Sequence, residues 1–280
     1  MNNTPNRRQV LLATAAGPAL LPGRLQASET LRLGLAPYLS PPALMATFRP
    51  VREQLSQRLG LVVETYTARD FRALADAVRR VEFDAALLPA HLARVAVADW
   101  AWAPLARTIA ATPVLVLVRG AGPVRTPADL RGARVGMLDL LSLTAAVGAR
   151  WLDDQGLSGP DGATVQTLTS INSALYALER DEVAAVVAAA SQLQGLPAQT
   201  PAGQRSLARV ESIPGPMYVA RPGLPAATLA RWQQAWLALR ADLDRPATAA
   251  NAVPQALTAA DLAAIEPYAA FLRRQLAATR

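Results

Sequence analysis

Polar and apolar positions alternate through Thr30-Leu31-Arg32-Leu33-Gly34-Leu35-Ala36, a period of two that predicts a strand, and Pro37 ends it. Over 43–59 the apolar positions change to helical spacing, at Leu44, Phe48, Val51, Leu55 and Leu59, with Gly60 standing where a helix stops. The unit then repeats. Residues 62–67 predict a strand, 70–80 a helix capped by Asp70, and 83–88 an apolar strand closed by Pro89. A helical stretch from His91, a short strand at 104–106 and the β-branched run 113–118 follow. Arg119-Gly120-Ala121-Gly122-Pro123 breaks the pattern and predicts a crossing between lobes.

Beyond that break the alternation restarts, with a short helix ending at 130–132, strand 133–138, helix 144–155, strand 164–169, helix 172–180 and strand 183–189. A Gly, Pro, Gln and Thr-rich loop over 195–205 is followed by a strand at 217–220 and helices at 226–243 and 258–278. This order predicts an α/β chain of two lobes: 28–118 with 207–280 as lobe I, and 119–206 as lobe II. Two hinge crossings join them, and a ligand cleft is expected between them, where strand ends and helix N-termini converge.

Composition narrows the chemistry. The 280 residues contain 28 basic and 21 acidic side chains, one His and no Cys, and every basic residue is Arg. Without Cys there is no disulfide framework, thiol nucleophile or lipid-modified N-terminal Cys, and a lone His rules out a multi-His metal site, so neither metal nor cofactor is expected. Hydrophobic residues form 52% of the chain and aromatics 5%, so Ala, Leu and Val must build most of the core. Of the net charge of +7, three arginines fall in residues 1–27, which hold no acid, leaving +4 for the remainder. No basic run is interleaved with aromatics, and nucleic-acid binding is not expected.

Arg7 and Arg8 directly precede an apolar stretch, Val10 to Leu21, too short for a membrane span; Pro22-Gly23-Arg24 closes it ahead of Gln26-Ala27. The pattern resembles a twin-arginine export signal over 1–27, which predicts a periplasmic protein, exported, soluble and not lipid-anchored.

Candidate site residues lie at strand-to-helix junctions. Ser142 and Thr144 follow the strand at 133–138; their hydroxyls and the backbone N–H groups of the first helical turn suit an anion, or serve as an ordinary cap. His91 follows the strand at 83–88, as ligand group or satisfied structural residue, and Tyr38 can close a pocket or plug the sheet edge. Asn172 and Ser173 repeat the junction in the second lobe, again with capping as the alternative. Trp100 and Trp102 flank Ala101 on one face of an extended segment, and Trp232 and Trp236, four apart on a helix, predict packing. No Ser-His-Asp motif or phosphate-binding Gly-rich loop occurs, so no catalytic residue is assigned.

Taken in order, the segments over 30–240 resemble the periplasmic substrate-binding proteins of phosphate/phosphite/phosphonate ABC transporters, in the type II class. The resemblance rests on Leu31 to Pro37, Phe48-Arg49-Pro50-Val51, Arg58-Leu59-Gly60, Phe83-Asp84-Ala85-Ala86 and Pro89. It continues with Thr126 to Val135, Ala174 to Arg180 and Ile213-Pro214-Gly215-Pro216. It implies a hinged two-lobe fold, a small-molecule oxyanion in the cleft, delivery to a membrane permease, and a monomer. The family's hydroxyl run falls on Ser142 and Thr144 with Leu143 between them; a position commonly His falls on Ile171 and one often acidic on Ala184. His91 lies where related sequences carry a ligand-facing polar or aromatic group. An enzyme on the same fold, with His91 as acid or base, and a ligand sensor for a membrane kinase are the alternatives.

Overall fold

The computed structural model describes residues 30–108, 113–193, 203–210, 215–240 and 253–278; the twin-arginine segment lies outside them. In chain order the elements are β1 (Thr30–Leu35), α1 (Pro41–Leu59), β2 (Val62–Thr67), α2 (Phe71–Arg79), β3 (Ala85–Leu88), α3 (Ala90–Asp99), β4 (Ala103–Arg107), β5 (Val114–Arg119), β6 (Arg134–Met137) and α4 (Leu143–Asp154). Then come β7 (Thr164–Thr167), α5 (Ile171–Glu179), β8 (Ala185–Ala189), α6 (Ala190–Leu193), β9 (Gln204–Val210), β10 (Met217–Ala220), α7 (Ala226–Leu237) and α8 (Ala259–Ala278).

The strands form two five-stranded sheets of one topology, β2-β1-β3-β10-β4 and β7-β6-β8-β5-β9. In each, three parallel strands are extended by an antiparallel one, β10 beside β3 and β5 beside β8. The central strands β3 (Ala-Ala-Leu-Leu) and β8 (Ala-Val-Val-Ala-Ala) are apolar without alternation because helices cover both faces. Each sheet therefore separates two apolar clusters, Leu31, Leu33, Leu87, Tyr218 and Trp236 on one face of the first sheet and Leu74, Leu88, Leu92 and Val219 on the other.

Several expectations change. The chain switches sheets before β5, because Val114–Arg119 pairs with β8 and β9, so the Gly-rich stretch from Arg119 is a turn inside the second sheet. β9 was not expected: it starts at the end of the loop placed over 195–205 and runs through residues given no element, a half-exposed edge strand rich in Gln, Arg and Ser, joined to β5 across a register shift at Val116/Leu117, with little apolar pattern. The return to the first sheet thus follows Val210. α7 ends at Leu237 rather than 243, where the Gln54 side chain takes both backbone groups of Arg240, accepting from its N–H at 3.0 Å and donating to its carbonyl at 3.4 Å.

Trp232 and Trp236 pack in the first core with ring centroids 6.0 Å apart. Trp100 instead caps α3, and Ala101 at φ +57° turns the chain, so that segment is not extended; Trp102 is buried, its Nε1 donating to the Val78 carbonyl at 3.2 Å. The last helix spans both halves. α8 packs on the first core through Ile265, Ala269 and Leu272, while Tyr268 packs against the core of the second sheet. Polar ties hold it to α3, with Arg94 to Glu266 at 2.7 Å and Arg273 to Asp99 at 2.7 Å, and within α8 Arg273 also pairs with Glu266 at 2.6 Å.

Candidate anion cleft at facing helix N-termini

Parallel pairing sets the site. β1 and β3 run side by side and end at Leu35 and Leu88, so the starts of α1 and α3 share one edge of the first sheet. β6 and β7 do the same for α4 and α5 in the second. These starts differ in what they offer an anion. Pro41 and Pro42 open α1 and lack N–H groups, so α1 contributes little. α3 follows Pro89, which has no capping side chain, and its first N–H groups have no partner inside the helix.

α4 is held open by its turn. The Asp139 carboxylate accepts from the Leu141 N–H at 2.8 Å and its carbonyl from the Ser142 N–H at 2.9 Å, which fixes Ser142 as N-cap. The Ser142 hydroxyl oxygen accepts from the Ala145 N–H at 3.2 Å, and its own proton stays available to donate. Thr144 is half-buried one residue inside the helix. Leu143, between the two hydroxyl residues, packs against cores of both sheets.

His91, the second residue of α3, is fully buried, and its Nε2 lies 2.9 Å from the Leu141 carbonyl. That bond joins the start of α3 to the start of α4. A carbonyl only accepts, so Nε2 carries the proton; burial lowers the pKa to about 4, outweighing the opposing pull of the Leu141 carbonyl, and leaves the ring neutral. Nδ1 is then a bare acceptor, buried and with no hydrogen-bond partner among the described residues. Such an orphan costs about 1–3 kcal/mol.

The other expected residues stand apart from the bond between His91 and Leu141. Tyr38, 43% exposed after β1, sets its ring edge-on to Phe71 with centroids 6.0 Å apart. Ser173 is engaged in its own helix start: its Oγ accepts from the Ser170 N–H at 3.0 Å, while its N–H donates to the Ser170 hydroxyl at 3.1 Å. Asn172 is half-buried on the same first turn. The structure thus ties His91 directly to the Ser142 turn. It also adds Leu141, which supplies the carbonyl and buries its side chain in the first-sheet core. An apolar residue just before an N-cap is a sequence signal, although it points to a contact within its own helix.

A groove of about 480 Å³ lies elsewhere, between α2, α3 and the end of α8. Two of its three arginines are already committed, Arg72 to the Gln275 and Leu276 carbonyls and Arg273 to Asp99 and Glu266; Arg79 is the third.

Residues 33–268 match the family model of the periplasmic substrate-binding protein of phosphonate ABC transporters. The chain belongs to that family. This phosphonate-family binding protein is accordingly the solute-binding component of an ABC transporter, with the two-lobed α/β fold of its class. No protein with a curated description matches it by sequence. Among solved structures it is similar to a Xanthomonas citri protein bound to ATP, at 16% identity and TM-score 0.72, covering 90% of this chain and 100% of that one. A Prochlorococcus marinus protein in complex with methylphosphonate aligns at 12% identity and TM-score 0.69, covering 88% and 99%. The Escherichia coli periplasmic aliphatic sulphonate-binding protein aligns at 16% identity and TM-score 0.59, covering 88% and 87%. These likenesses establish the fold. No helix among the described residues is long and apolar enough to cross a membrane.

Proposed function

We propose that this binding protein captures a small phosphonate- or phosphate-like oxyanion in the cleft between two lobes, built on the first and second sheets, and presents it to the membrane permease of its transporter. His91, Ser142, Thr144, Asn172 and Tyr38 face the ligand, while Ser173 holds the first turn of α5. The observation that carries this reading is the bond from His91 Nε2 to the Leu141 carbonyl, because it brings the N-termini of α3 and α4 to one point. Two helix N-termini supply N–H donors and partial positive charge, which suits an anion without a cationic side chain. Closure is a hinge motion at the crossings before Val114 and after Val210, favoured as far as the ligand touches both lobes. The chain acts as a monomer, binds without converting its ligand, and reaches the periplasm through the twin-arginine segment 1–27, released from the membrane.

The test is calorimetry with methylphosphonate and inorganic phosphate on the wild type and on a Ser142→Ala, Thr144→Ala double variant. Loss of two hydroxyl bonds to a charged ligand should weaken binding about a hundredfold. Unchanged affinity in the double variant would remove the site from the cleft.

A further inference from the structure

The two halves carry one structural repeat. Both sheets share a topology, and their registers match: Arg32 faces Glu64 and Leu33 faces Ala85 in the first, Arg134 faces Thr164 and Val135 faces Ala185 in the second. Val81 and Asp181 turn the chain at φ +56° and +57° ahead of β3 and β8. Connections of equal length, 36–39 and 138–141, lead from β1 and β6 to the N-caps Ser40 and Ser142. Leu39 is thereby the counterpart of Leu141. The register that matches Ala85 with Ala185 likewise makes Ser191, the second residue of α6, the counterpart of His91, the second residue of α3.

One contact between the halves is made and its mate is not. Leu141, 9% exposed, is buried in the first-sheet cluster beside α3, and its carbonyl accepts from His91 Nε2 at 2.9 Å. Its counterpart Leu39 is 49% exposed and belongs to no apolar cluster among the described residues. The repeat matches the cluster that receives Leu141 with the one on the α5 and α6 face of the second sheet, around Leu175, Val186 and Ala188. Among the described residues, that cluster takes no side chain from the first half, and Leu138, Ile171 and Leu193 are only partly buried against it. Ser191, two residues before Leu193, is exposed.

We propose that Leu39 is a closure latch: as the lobes shut on a ligand it packs against Leu138, Ile171 and Leu193 of the second half, and the Ser191 hydroxyl donates to the Leu39 carbonyl. This rests on the reading that the cleft closes on an oxyanion. Two like halves that meet through like turns satisfy both equivalent contacts when fully shut, because a contact from the first half to the second is repeated from the second to the first. A serine hydroxyl reaches less far than an imidazole and buries less apolar surface, so this seam opens and admits the ligand while the His91 seam holds. Burying the exposed Leu39 side chain stabilises the shut form without touching the ligand and so adds to affinity.

The chain has no Cys, so a Leu39→Cys, Ser191→Cys double variant reads the latch directly. A disulfide needs Cα atoms within about 7 Å. With copper phenanthroline as oxidant the pair should cross-link, seen as a faster band on a non-reducing gel, and saturating methylphosphonate should raise the rate about tenfold. A Leu39→Cys, Val165→Cys pair, whose second site lies on the edge strand β7, should not cross-link. Leu39→Ser should weaken calorimetric affinity for methylphosphonate about tenfold. It should leave the melting temperature of the ligand-free protein unchanged, since the side chain is exposed there. If methylphosphonate binds but does not speed the cross-link, or binds Leu39→Ser as tightly as wild type, the latch is overturned and the oxyanion reading stands. If methylphosphonate does not bind and the Leu39–Ser191 pair alone still cross-links, that reading falls and the contact stands. Neither binding nor cross-linking removes both.

Discussion

At the residue scale the consequential group is His91, because one ring supplies an interlobe bond and an acidic limit on stability. The unfolded chain takes up a proton on this imidazole below about pH 6.5, whereas the folded ring, buried and held neutral, resists until about pH 4. The stabilisation is complete above about pH 6.5 and is lost as pH falls through that window, by about 3 kcal/mol in all. Urea unfolding at about pH 7 and about pH 4.5 should therefore show a stability loss that His91→Gln reduces by 2–3 kcal/mol, roughly, relative to the wild type. An equal loss in both proteins would assign the acid sensitivity to carboxylates. Ser173→Ala should cost about 1 kcal/mol of stability through its broken cap and change methylphosphonate affinity less than Ser142→Ala does, measured side by side.

Elements place these residues, and α4 is held close to its sheet. Gly148 sits in the interior of this helix, where Gly is about 1 kcal/mol worse than Ala, yet a Cβ there would lie 2.7 Å from Val187 Cγ1 and 3.0 Å from Met137 Cε. The missing methyl lets α4 lie close on β8 and β6, which sets the height of the Ser142 end over the sheet edge. Gly148→Ala should gain helix propensity and lose more to overpacking, a net loss of about 1–2 kcal/mol in urea unfolding. It should also weaken oxyanion affinity by displacing the helix start. A more stable variant would show that the helix can lift off the sheet without penalty.

Across the whole molecule, contacts between the two halves define the arrangement. Leu141 leaves its own sheet to pack in the first core, and α8 reaches back through Tyr268 to the core of the second. Closure is part of the binding free energy, so weakening these contacts weakens affinity without touching the ligand. Leu141→Ala should lower methylphosphonate affinity about tenfold and enlarge the radius of gyration of the ligand-free protein in small-angle scattering. An unaltered radius would mean that the remaining contacts, the His91 bond to the Leu141 carbonyl, Leu143 and α8, keep the halves together.

The strand and helix sequence was legible in the chain because period-two and period-3.6 patterns are local, and so were caps such as Asp70, whose carboxylate accepts from the Ala73 N–H at 2.7 Å. The strand-to-helix junctions carrying Tyr38, His91, Ser142 and Asn172 were legible for the same reason. Sheet membership was not: Val114–Arg119 has the same apolar run in either lobe, and only pairing with β8 and β9 decides where the crossing falls. The half-exposed edge strand β9 had too little apolar contrast to announce itself. The proton on His91 was beyond local pattern as well, since it depends on a carbonyl 50 residues away in the other half and on burial that exists only once both halves meet. Residue types and spacing determine which groups stand at helix starts; long-range packing decides which of them meet, and in which protonation state.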